Sequence, residues 1–147
     1  MPLKKMPRKL IGEILIEEGL LDPPSLEKAL KTQKKEGGLL GEILVRMGIV
    51  SEEQVIAGLS KQLSLPFIRL AHYKVNRNAI RLVPKEVAER YLFFPFEEDE
   101  KEVSIAVVDP VDPETIEEIG RRISVPFQVF LAELSEIKRA IGTHYRE

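Results

Sequence analysis

The amino-acid sequence predicts an α+β fold in which duplicated helical hairpins make a four-helix half and a small α/β sandwich half follows. The first observation is an internal repeat. Residues 9–33 align with residues 38–62 at an offset of 29 without a gap, and eight of the 25 pairs are identical; about one or two would be expected by chance. The second is apolar spacing at the helical period inside each repeat. The third is a change of pattern after Pro66, where short apolar runs alternate with capped helical segments. The predicted organisation is a basic tail over residues 1–8, a tandem-repeat helical part over 9–65 and an α/β part over 66–147.

Each repeat opens with a short helix. Leu10, Ile11, Ile14 and Leu15 recur at helical spacing, as do Leu39, Leu40, Ile43 and Leu44. Gly19 and Gly48 then stand where a helix commonly ends in a left-handed residue. The second helices carry their own start signals: Asp22 before Pro23 in one repeat, and Ser51 with Gln54 three residues on in the other. Their inner faces are expected to hold Leu26, Ala29, Leu30 and Gln33, matched by Val55, Gly58, Leu59 and Gln62. Lys34–Gly37 reads as a polar linker. Leu10, Ile14, Leu26, Leu30 and their repeat partners are expected to bury together.

Beyond Pro66 the expected elements are a short strand over Phe67–Leu70, a helix capped by Asn76, and a helix opened by Pro84. Strands follow over Leu92–Phe96 and Val103–Val108 around the acidic turn Glu97–Lys101. Asp112-Pro113 starts a helix with Ile116, Ile119 and Ile123 on one face. Val125–Leu131 reads as a strand and Ser135–His144 as the last helix, giving a ββαβα order.

Composition narrows the function. A net charge of −2 gives no whole-chain nucleic-acid signal. Without cysteine there is no disulfide and no thiolate chemistry. No apolar run approaches the roughly 20 residues of a membrane span, and Glu13, Glu17 and Glu18 interrupt what would be a signal peptide's apolar region. A cytoplasmic location is expected, peripheral to the inner membrane through a partner. His72 and His144 have no ligand at metal spacing. Glu97–Glu100 lacks the alternating ligands and glycine of a calcium loop. Gly37, Gly38 and Gly41 are not followed by Gly-Lys-Ser/Thr, so no phosphate loop is present. No catalytic residue, metal or obligate cofactor is expected, and the chain reads as a non-enzyme.

Gly12 and Gly41 each fall in the first turn of a helix, where glycine costs about 1 kcal/mol relative to alanine. Two readings stand. The glycines allow close packing between the duplicated helices, or they admit a ligand to helix N-terminal N–H groups. Two equivalent half-sites would suit a ligand with two equivalent halves, with Lys4, Lys5, Arg8 and Lys9 adding positive charge. Gln33 and Gln62 either bond such a ligand or cap a helix.

The paired pattern Gly-x-x-Leu-(Ile/Val)-x-x-Gly-(Leu/Ile), each copy ending in Gln, resembles the N-terminal domain of the GspE/PilB/MshE secretion and pilus ATPases. The resemblance continues through LPFIRL, AIRLVPKEVAERY, FPF, VSIAVVDPVDPETIEEI and IKRAIGTHY, nearly the whole chain. It implies a non-catalytic domain that precedes a motor domain and docks onto inner-membrane platform proteins. In the MshE-like branch it implies a cyclic di-GMP site built from the tandem repeat. Carried onto this chain, that site would comprise Arg8, Lys9, Leu10, Ile11, Gly12, Leu15, Ile16, Gly19, Leu20 and Gln33, then Leu39, Leu40, Gly41, Leu44, Val45, Gly48, Ile49 and Gln62.

The binding branch opens each motif with arginine two residues before the glycine, and this chain has Leu10 and Leu39 there. Leucine can neither stack on a guanine as a guanidinium does nor pair with phosphate. Docking to a platform protein or to the ATPase motor domain is therefore the first expectation, and cyclic di-GMP sensing the second. The chain is read as either a piece of a larger ATPase or a stand-alone adaptor.

Overall fold

The structure, a computed structural model, describes residues 10–145. Four helices come first: α1 (Ile11–Glu17), α2 (Pro23–Glu36), α3 (Leu40–Arg46) and α4 (Glu52–Leu63). Their boundaries follow local chemistry. Asp22 accepts from Ser25 N–H at 2.9 Å to cap α2, with Pro23 behind it, and Ser51 and Gln54 cap α4 reciprocally. Gly19 and Gly48 turn the chain at φ +77° and +74°. Lys34, Lys35 and Glu36 belong to α2 rather than to a linker.

The repeats do not close on themselves. α1 packs chiefly on α4, and α2 on α3, so each helix finds its main neighbour in the other repeat. α4 also faces the α/β elements, through Val55, Ile56 and Glu52, whereas α2 fully buries Ala29 alone. This corrects two burial expectations. Leu30 on α2 is 44% exposed although its repeat partner Leu59 on α4 is wholly buried. Leu10, preceding α1, is 49% exposed, against 5% for Leu39.

From Pro66 the chain crosses the sheet as a strap. Ile68 N–H donates to Leu131 O, and Leu131 N–H to Pro66 O, but pairing stops at Phe67. Leu70 N–H is taken instead by the Glu136 carboxylate at 3.2 Å, and residues Leu70–His72 form a 3-10 turn, so the expected Phe67–Leu70 strand is reduced to one bridge. α5 (Arg77–Ile80), capped by Asn76, and α6 (Lys85–Tyr91) follow.

The sheet has the order β1 (Phe93–Glu98), β2 (Val103–Val107) and β3 (Phe127–Leu131). β1 and β2 are antiparallel with a register shift between Pro95 and Glu97; β2 and β3 are parallel, joined through α7 (Pro113–Arg122). β3 begins two residues later than expected because Pro126, which has no N–H, serves only as acceptor for Val103 N–H. α8 (Leu134–His144) ends the described chain. Phe93, Phe94 and Phe96 are buried, and Phe96 meets Phe130 and Tyr73 edge-on at ring distances of 5.7 and 5.1 Å. One apolar core runs through both parts, from Ile14 and Ile43 to Ile105 and Ile137.

Candidate functional site

The tandem repeat brings its two glycines into one packing unit. A β-carbon on Gly12 would stand 2.8 Å from Leu26 Cδ1 and 3.5 Å from Leu40 Cδ2; one on Gly41 would stand 3.0 Å from Ile11 Cδ1. Ile11 and Leu40 occupy the same repeat position, immediately before each glycine. Each therefore packs toward the other repeat's glycine, and the two contacts are reciprocal. Gly58 does the same work between α4 and α1, where a β-carbon would meet Leu15 Cδ2 at 3.2 Å. The space left beside Gly41, bordered by Val45, Val55, Val108 and Leu134, amounts to about 10 Å³, at most the room a single water needs.

The other predicted site residues divide by burial. Ile11, Leu15, Leu39, Leu40 and Leu44 are core residues; Ile16, Leu20, Val45 and Ile49 are half-buried against that core. Leu10, Gly19 and Gly48 are exposed. Arg8 and Lys9 lie outside the described residues. The glutamines, equivalent in sequence, do different things: Gln33 Nε2 donates to Gly38 O at 2.9 Å, fixing the turn into α3, while Gln62 Nε2 donates to Glu18 Oε2 at 2.6 Å. Hence the structure gathers the glycines and aliphatic residues and sends the glutamines to separate backbone and side-chain partners.

Several charges of the repeat are matched internally. Glu18 also meets Lys61 at 3.3 Å, and the Gln62 hydrogen bond, with Lys61 beside it, holds its carboxyl below the usual carboxylate range. Arg46 pairs with Glu36 and Lys138 with Glu42, both at 2.9 Å. Glu13 accepts from Leu10 N–H at 3.1 Å, placing another carboxylate over the start of α1. A doubly anionic ligand would have to compete with these carboxylates for cations.

Two contacts that sequence reasoning missed tie the helical part to α8. Glu52 Oε1 accepts from Ser135 N–H at 2.8 Å, supplying from 83 residues away the cap that Glu133, the local N-cap residue, does not give. Lys138 binds Glu42 one turn further along α8. Nothing in the local sequence announces either, since a cap is ordinarily sought within three or four residues. Elsewhere, Asp109 in the turn after β2 accepts from Val111 N–H, and burial, with Asp112 nearby, raises its carboxyl to about 7. Among the described residues no group of three or more His, Cys, Asp or Glu is placed to hold a metal ion. No described helix is long and apolar enough to cross a membrane.

Comparison with known proteins decides the family. The MshEN domain model matches residues 63–147. The chain belongs to the MshEN domain family. The model match covers the α/β part of this MshEN chain and leaves the tandem repeat outside, but longer alignments take in both. The type IV pilus assembly ATPase PilB of Myxococcus xanthus is 32% identical over 137 residues, which is 93% of this chain and 24% of that protein. PilB of Thermus thermophilus is 28% identical, over 95% of this chain and 16% of its own length. This MshEN chain thus spans a quarter or less of the pilus ATPases it matches. Among solved structures, MshE with cdg (cyclic di-GMP) superposes with a TM-score of 0.67 at 31% identity, over 93% of this chain and 99% of that one. The N-terminal domain of XpsE superposes with a TM-score of 0.69 at 22% identity, over 90% and 91% of the two chains, and shares the fold.

Proposed function

We propose that this MshEN chain is a non-catalytic docking and regulatory module that joins a pilus or secretion ATPase to its inner-membrane platform protein or motor domain. The observation that carries this reading is the reciprocal seating of Ile11 against Gly41 and Leu40 against Gly12. It gives the duplicated glycines a packing role, and it goes with leucine at positions 10 and 39, where nucleotide-binding relatives would need a guanidinium. Exposed apolar side chains on the helical part, Leu10, Leu30 and Met47, offer contacts to a protein partner. On this reading the chain works in the cytoplasm, is recruited to the inner membrane by its partner, and neither binds nor hydrolyses ATP.

A second reading, cyclic di-GMP sensing through the tandem repeat, is favoured by the MshE structure solved with that nucleotide, which is 31% identical over nearly the whole chain. The discriminating experiment is a pull-down of pilus and secretion platform proteins with the purified chain, set beside calorimetry with cyclic di-GMP. Retention of a platform protein without nucleotide supports docking. Saturable nucleotide binding with no retention overturns it.

A further inference from the structure

Between Glu53 and Glu86 the chain has no acidic residue and six basic ones, Lys61, Arg69, Lys74, Arg77, Arg81 and Lys85, in a protein of net charge −2. Five of the six follow one another on the strap, on α5 and at the start of α6. The strap begins at the β3 edge, where Ile68 N–H bonds Leu131 O, and reaches the β1 edge, where Asn76 N–H bonds Phe96 O. Arg69, Lys74, Arg77, Arg81 and Lys85 are all exposed on or just after this crossing. None makes an ion pair with a described residue; Arg69 instead lies over the Phe67 ring at 5.7 Å. Two large aromatics are presented among these cations: Phe67 is 39% and Tyr73 43% exposed, Tyr73 with one side of its ring against Phe96.

We propose that the strap is a contact surface for an anionic lipid bilayer. Exposed cations spread over the strap, α5 and the start of α6, none of them held by a described carboxylate, match a plane of phosphates better than they match a single acidic peptide. Partly exposed aromatic rings among cations suit the headgroup layer, where rings with one apolar and one wet side settle. Five exposed Lys/Arg fall within the range that draws a protein segment to an anionic leaflet. The neighbouring acidic end of the β1–β2 hairpin, Glu97–Glu102, opposes this. Asn76 Nδ2 bonds Glu98 O, so this acidic hairpin end adjoins the β1 end of the strap and weakens the attraction there.

The test is co-sedimentation of the full chain with vesicles of phosphatidylcholine alone and of phosphatidylcholine mixed with phosphatidylglycerol, at low and high salt. Binding should require phosphatidylglycerol and fall with salt. The triple change Arg69→Gln, Lys74→Gln, Arg77→Gln should lower it about a hundredfold, at about fivefold per cation, with an unchanged melting midpoint. Glu97→Gln with Glu100→Gln should raise it. The basic N-terminal residues stay intact in every variant. Association undiminished by the triple change would overturn the proposal. Absence of vesicle binding, with capture of a polyglutamate peptide by the same cations, would overturn it in favour of an acidic protein partner.

Discussion

Ile11 Cδ1 lies 3.0 Å from the point where a β-carbon on Gly41 would stand, and Ile11 is only 2% exposed. Gly41 thus forms the floor for a side chain that has nowhere else to go. Gly41→Ala should destabilise the protein by about 1 kcal/mol, overpacking outweighing the roughly 1 kcal/mol that alanine gains in a helix. Gly12→Ala should have a smaller effect: its nearest neighbour is the tip of Leu26, which is half-buried and free to swing aside. Urea denaturation of the two variants checks this, and a more stable Gly41→Ala would show that the site is open.

Glu52 reaches across to the first turn of α8, and it should matter more than its partly exposed position suggests. Glu52→Ala should cost about 1–2 kcal/mol, the loss of a charge-assisted cap. Lys138→Ala, which removes an ion pair whose lysine is about half exposed, should cost less than about 1 kcal/mol. Amide exchange at Ser135 should accelerate in the first variant and not in the second.

Leu10 and Leu39 are equivalent in the repeat but not in the fold. Leu10→Arg places its charge in solvent and should change stability by less than about 0.5 kcal/mol. Leu39→Arg puts a guanidinium where a side chain is 5% exposed, and should cost about 2–4 kcal/mol. Thermal unfolding of the single variants separates these outcomes.

Features set within three or four residues were legible in the sequence. Asp22, Ser51, Asn76 and Asp112 cap the helices they announce, and Gly19 and Gly48 take the left-handed turns their positions required. Long-range choices were not. Leu30 on α2 and Leu59 on α4 hold the same repeat position, yet α4 also meets the α/β elements, so Leu59 is buried while Leu30 is left exposed. Equally, Phe67–Leu70 has strand composition, but Glu136, 66 positions away, takes the Leu70 N–H that a longer strand would use. In the repeat, the glycine and aliphatic pattern was visible, while its two readings could be weighed only when Leu26, Leu40 and Ile11 were seen filling the glycine faces.

Asp109 gives the pH dependence its sign. Its carboxyl is raised from 3.8 to about 7 by burial, with Asp112 second, so the fold favours the protonated form. That contribution is fully present below about pH 4 and is lost as pH rises toward 7. The swing is on the order of 4 kcal/mol for a shift of about three units. Asp109→Asn keeps the acceptor for Val111 N–H and should flatten stability between pH 4 and 7. Glu18, Asp22, Asp99 and Glu118 are shifted downward; they act in the opposite sense, losing stabilisation as the medium becomes more acid than their ordinary range. Urea midpoints of both proteins across this range check the assignment.

The most direct measurement is calorimetric titration of the unmodified chain with cyclic di-GMP. A guanidinium contributes about 1.5–3 kcal/mol through a charge-assisted hydrogen bond and roughly 0.5–2 more by stacking. Leucine at positions 10 and 39 therefore removes on the order of 4 kcal/mol or more, about a thousandfold in affinity. The expected result is no saturable heat at micromolar nucleotide, with Ile11 and Leu40 remaining seated on Gly41 and Gly12. Saturable micromolar binding would contradict it and make the repeat a nucleotide site.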